Sequence, residues 1–163
     1  MIACRRPAFL AIALSLWSTA AAAQADQPVL LRQLAGQVAI EVRVIGPGGL
    51  RIGAADDTRS IVMTVMQTDL RRWADSAGRV LAARPPRRGQ SVHWEAVVAG
   101  PGVAAGSMAL ARTVAPGDTS LVLLITNADF EAVRTTLTLP EARGVVGAMR
   151  RASMWRPAKP PAR

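Results

Sequence analysis

The stretch LRRWADSAGRVL, residues 70–81, decides the fold, because its apolar residues recur at helical spacing. Leu70, Trp73, Ala74, Ala77, Val80 and Leu81 fall on one stripe, while Arg71, Arg72, Asp75 and Arg79 lie outside it. Seventy-two residues further on, ARGVVGAMRRAS repeats the arrangement. There Ala142, Val145, Val146, Met149, Ala152 and Ser153 occupy the stripe, apolar except for the last. Arg71, Asp69 and Arg79 find counterparts in Arg143, Glu141 and Arg151. Each helix follows a segment that reads as a strand, so strand plus helix occurs at Ile61 to Ala83 and again at Val133 to Ser153. Two amphipathic helices of this kind share one structural job, which is to cover a sheet.

Upstream of the first helix, Val38, Ile40, Val42 and Val44 alternate with Ala39, Glu41 and Arg43, the pattern of a strand with one buried and one wet face. Pro28 to Gln33 precedes it as a short strand, and Gly46-Pro47-Gly48-Gly49 turns the chain into Leu50 to Ala54. The turn at Ala55 to Thr58 leads to a strand over Ser60 to Met66. Thr68 is the expected helix cap, with Asp69 complementing the dipole, and Pro85 bars continuation. Residues 84–90, with Arg84, Pro85, Pro86, Arg87 and Arg88, then form a linker.

The same order returns beyond the linker. Ser91 to Val98, Ser107 to Val114, Ser120 to Thr126 and Glu131 to Leu137 read as strands, the third apolar on both faces and therefore central. Pro116-Gly117 matches Pro47-Gly48, and Asp129 matches Asp57. Thr138-Leu139-Pro140-Glu141 has the form of a capping box at the start of the second helix. The fold class is thus α+β: two tandem ββββα units, each a β-meander plus helix, giving antiparallel sheets backed by two helices. One domain is expected over 26–153, with halves at 28–84 and 90–153, followed by a disordered, basic, Pro-rich tail at 154–163.

Residues 1–25 have the layout of a secretory signal: Arg5 and Arg6, an apolar run from Ala8 to Trp17, then small residues through Ala23. The run is shorter than the roughly 20 apolar residues a bilayer needs, so no transmembrane segment is expected. Cleavage fits after Ala23 or Ala25, and the expected location is periplasmic or secreted. The only cysteine, Cys4, lies ahead of the apolar run, so the exported chain would hold itself together without disulfides.

The formal charge of +9 is unevenly placed. Arg143, Arg150, Arg151, Arg156, Lys159 and Arg163 all lie beyond Glu141, the last acid, so the basic excess belongs to the C-terminal end. Trp155 sits in that segment, and Trp155, Arg150, Arg151, Arg156 and Lys159 form the candidate partner-binding set, an aromatic anchor among cations. Nucleic acid is disfavoured as the ligand: there is no tyrosine, and Trp73 and Trp94 are assigned to the core, which leaves few platforms for bases.

His93 is the only histidine, and Glu95 shares its strand face. A histidine beside a carboxylate can share a proton or a metal, so His93 and Glu95 are the weak candidates for a hydrolase-like site. Hydrolytic and metal sites need several converging groups, however, and no second histidine is on offer. The turn acids Asp56, Asp57, Asp118, Asp129 and Glu131 lack the spacing of a calcium loop and read as backbone caps. No nucleophile elbow, phosphate loop or dinucleotide fingerprint occurs, so no catalytic residue, cofactor or metal is assigned.

Four strands and a helix, taken twice, resembles in its order the architecture of Whirly and Pur-type single-strand nucleic-acid binders. The resemblance is one of topology without shared signature residues, and it implies paired sheets backed by helices rather than an activity. The expected function is that of an exported, non-enzymatic binding or structural protein of the cell envelope with a protein or surface partner. The alternative is an exported binder of nucleic acid or polyanion that uses the basic helix faces and tail.

Overall fold

The computed structural model describes residues 27–87, 89–102 and 105–157. The expected signal segment, Arg88, Lys159 and the end of the tail lie outside the described residues. Strands β1 (Val29–Ala35), β2 (Val38–Gly46), β3 (Gly49–Ala55) and β4 (Ser60–Met66) form one antiparallel sheet in chain order, and α1 (Gln67–Ala82) follows. Strands β5 (Val92–Ala99), β6 (Ser107–Ala115), β7 (Asp118–Thr126) and β8 (Ala132–Thr136) form a second, followed by α2 (Leu139–Ser153). The chain is therefore an α+β protein of two repeated ββββα units.

The alternation in β2 is realised as read: Val38, Ile40, Val42 and Val44 are buried. All six stripe positions of α1 are buried, and so are all six of α2, joined there by Ala148. Both helices contribute to the same apolar core as the inner faces of the two sheets. No helix among the described residues is long and apolar enough to cross a membrane.

The helices are exchanged between the halves. Helix α1 packs against β5, the edge strand of the second sheet, and α2 packs against β1, the edge strand of the first. Trp73, buried on α1, donates its indole Nε1–H to the carbonyl of Ala96 on β5 at 3.0 Å. Arg112 on β6 closes the other end of α1. Its Nη1 donates to the carbonyl oxygens of Val80 (3.2 Å), Leu81 (3.0 Å) and Ala83 (2.9 Å), and its guanidinium lies 5.5 Å from the centre of the Trp94 ring. The Val80 carbonyl also accepts the Ala83 N–H at 3.4 Å, but carbonyls at a helix C-terminus lack the next turn's donors and carry its negative dipole end, so a fixed cation there satisfies both needs. Between the helices, Arg150 of α2 bonds Asp75 of α1 at 2.7 Å.

The remaining two sheet edges meet the opposite half as well. The β4 edge gives the Thr64 N–H to the Ala105 carbonyl at 3.2 Å, and Gln37, in the β1–β2 turn, gives its N–H to Thr135 Oγ1 at 3.4 Å. Glycine is required on both sides of this junction. A Cβ on Gly36 (φ +57°) would lie 2.3 Å from Thr135 Oγ1, and one on Gly106 (φ +77°) 2.9 Å from Met63 Cβ. Met63 and Thr135 are themselves 72 residues apart, the spacing of the helix stripes. Each of the four edge strands thus touches the opposite half, β1 and β5 through a helix and β4 and β8 through a few hydrogen bonds.

One cap differs from the sequence reading. The N-cap position of α1 is Met66, which makes no side-chain cap bond, and Thr68 already lies in the first turn. Strand β4 runs into α1 without a loop, and the first helical N–H, that of Gln67, is taken by the carbonyl of Gly48 at 2.8 Å. The capping box of α2 forms as read, with Glu141 N donating to Thr138 Oγ1 and Thr138 N donating to Glu141 Oε2 at 2.8 Å.

Because α1 ends on a side chain from the other half, Arg112→Met is expected to lower unfolding stability by about 2–3 kcal/mol, since charge-assisted bonds to otherwise orphaned carbonyls are lost. Urea denaturation followed by tryptophan fluorescence measures it. Arg79→Met on the exposed side of the same helix is expected to change stability by less than about 0.5 kcal/mol.

Candidate binding surfaces

The residues singled out in the sequence do not converge on one site. Trp155 is half-buried against the core, its N–H bonded to the Ala152 carbonyl at 3.2 Å and its own carbonyl to Gln67 Nε2 at 3.2 Å. With Gln67, Thr68, Arg71, Ser153, Met154 and Arg156 it lines an open groove of about 530 Å³ between the start of α1 and the end of α2. Arg150 is committed to Asp75, and Arg151 is exposed on α2. The basic set is therefore divided between the groove and the outer helix surface.

His93 and Glu95 are exposed on the outer face of β5. His93 Nδ1 lies 2.9 Å from Thr113 Oγ1, its cross-strand neighbour on β6, and Glu95 lies opposite Ala111. Among the described residues no group of three or more His, Cys, Asp or Glu side chains is placed to hold a metal ion.

Two other surfaces emerge that sequence reading had not assembled. The first is the outer face of the β1–β4 sheet. Register places Arg32 opposite Glu41 and Arg43 opposite Arg51, with Gly53 next to Glu41 on the following strand. Glu41 is 5 % exposed although it faces away from the core. It is covered by the two arginines it binds, accepting from Arg32 Nε at 2.6 Å and from Arg43 Nε. Arg51 is half-buried and has no hydrogen-bond or ion-pair partner among the described residues. Alternation had put Glu41 and Arg43 on a wet face. Their neighbours on β1 and β3 follow only from register.

The second is the β7–β8 turn. Asn127 organises it: its Oδ1 accepts the N–H groups of Asp129 (3.0 Å) and Glu131 (2.9 Å), and its Nδ2 donates to Glu131 Oε2 at 2.8 Å. On this braced turn Phe130 is 86 % exposed with φ +61°, the sole non-glycine residue in the left-handed region among those described. A bulky side chain is strained by about 1–2 kcal/mol there and gains nothing from burial. The sequence signal was available: an aromatic residue inside an Asn-Ala-Asp turn, where polar residues and glycine normally sit.

The equivalent β3–β4 turn is built by Asp56. Its Oδ1 accepts from Thr58 N (2.8 Å), Thr58 Oγ1 (2.7 Å) and Arg59 N (2.9 Å). Arg59 reaches across to the Ala132 carbonyl at 3.3 Å, joining this turn to the start of β8. Partial burial pushes the Asp56 carboxyl up, but the Thr58 and Arg59 hydrogen bonds and the Arg59 charge outweigh it and hold the carboxyl below its ordinary value. The chain matches no protein-family model and no curated protein.

A depressed folded-state value means that the Asp56 contribution to stability is present above the unfolded-state pKa and fades as pH falls through the folded one. The stability difference between the parent protein and Asp56→Asn, measured by urea melts, is expected to be constant near neutrality and to shrink in the acid range below the ordinary carboxylate value.

Proposed function

We propose that this chain is an exported, non-enzymatic binding protein of the cell envelope that engages a protein partner through the β7–β8 turn, with Phe130 as anchor. The observation that carries this reading is the combination at Phe130 of near-complete exposure, a left-handed backbone and a turn braced by Asn127. Strain and an exposed ring at one residue oppose stability, and such residues concentrate where a side chain must be presented. Aromatic residues, phenylalanine included, are also enriched at the cores of interfaces. Asp129 and Glu131 flank the ring, so a fitting partner offers an apolar pocket with a basic rim.

Export is supported by the sequence of residues 1–25 alone, and binding through the basic C-terminal residues does not enter this reading. The turn is pre-ordered by its own hydrogen bonds, so little further ordering is needed on association.

Phe130→Gly separates the two consequences. Glycine relieves the left-handed strain while raising unfolded-state entropy by about 0.5–1 kcal/mol, so the variant is expected to be at least as stable as the parent. In the native compartment, photo-cross-linking from position 129 is expected to capture a discrete partner with the parent ring and to lose it with Phe130→Gly. Equal capture by both proteins would contradict the proposal.

A further inference from the structure

We infer that the outer face of the β1–β4 sheet is a binding site for a phosphate-class dianion, held between Arg43 and Arg51 with Arg32 beside them. The face carries Arg32, Arg43 and Arg51 against a single acid, Glu41, leaving two positive charges in excess. The body of the chain is close to neutral, so this excess is local.

Placement argues that the excess is more than a solvated surface. Arg43 and Arg51 are directly opposite on neighbouring strands, an arrangement in which like charges repel. Glu41 relieves Arg43 but not Arg51, because its two oxygens are taken by Arg32 and Arg43. Both of those bonds use Nε, so Glu41 fixes the two guanidinium groups while leaving their terminal Nη atoms uncommitted. Gly53 supplies no side chain to the row beside Glu41. A half-buried guanidinium without an acid, next to a second one already oriented, is a fork waiting for an oxyanion.

The second sheet provides an internal comparison. The corresponding rows of its outer face read Glu95, Ala111, Val122, Thr136 and Val97, Ala109, Leu124, Arg134. On the central strands β6 and β7 these rows carry only Ala111, Val122, Ala109 and Leu124, so arginines at the centre of the face are not a requirement of the fold. A phosphate monoester or inorganic phosphate carries between one and two negative charges near neutrality and approaches the local excess of two as pH rises. The same group is offered free in solution or on a lipid headgroup. This site uses no residue of the β7–β8 turn, and its failure would leave the Phe130 proposal untouched.

The full-length exported chain is to be melted in chloride buffer and in inorganic phosphate at equal ionic strength, and sedimented with phosphatidylcholine vesicles with and without phosphatidic acid. Phosphate is expected to raise the melting temperature in a saturable manner, or phosphatidic acid to recruit the protein; the arm that responds identifies the source of the ligand. Arg51→Gln is expected to weaken the responding interaction by at least about tenfold, the value of one charged hydrogen-bond pair. In chloride alone Arg51→Gln is expected to melt at or above the parent temperature, because the repulsive pair is gone. Arg84→Gln, the same charge change on an exposed residue beyond α1, is expected to leave binding within about twofold. Absence of response in both arms, or equal loss in Arg51→Gln and Arg84→Gln, would overturn the inference.

Discussion

The grip of the second sheet on α1 is the constraint on which the remaining structure depends. Trp73 reaches a carbonyl of β5, and Arg112 closes the far end of the helix, so α1 is bounded at two points by the half to which it does not belong. Helix α2 does the reciprocal service for β1. An isolated helix of this length is marginal in water, and α1 is further weakened by Gly78 and by an N-terminus without a side-chain cap. Its stability therefore comes from packing supplied by the second half, chiefly by α2 and then by β5 and β6.

This exchange also decides which surfaces are free. With the inner faces joined in one core and the edge strands contacted by the opposite half, the two outer sheet faces, the turns and the groove beside Trp155 are open for recognition. The outer faces differ in chemistry although the scaffold beneath them repeats: one carries arginines around a covered glutamate, the other small and apolar residues at the centre of its two middle strands. The turns differ too. Asp56 and Asn127 build similar hydrogen-bonded turns, but only the second holds out an aromatic ring.

Periodicity made the fold class legible. The helix stripes, the alternation of β2, the central character of β7 and the capping box of α2 are all local patterns, and each survives in the structure. What the pattern could not convey is non-local. Arg112 occupies an inward position between Leu110 and Val114, a charged residue in an apolar row, and its meaning appears only when the C-terminus of α1 arrives there from the other half. The arginine face was hidden for a related reason: Arg32, Glu41, Arg43 and Arg51 come together through register, which hydrophobic alternation does not set for the wet side of a sheet. The Thr68 cap failed because a strand running straight into a helix needs no capping loop, and the helix begins two residues earlier than that cap implies, with Met66 at the N-cap position.

The most direct measurement of the exchange is on the two halves prepared separately, residues 27–87 and 89–157, by analytical ultracentrifugation and circular dichroism. The exchange predicts that neither fragment is a cooperatively melting monomer, and that mixing them restores a 1:1 complex with the helix content of the intact chain. A monomeric 27–87 fragment that melts cooperatively with its helix in place would contradict it.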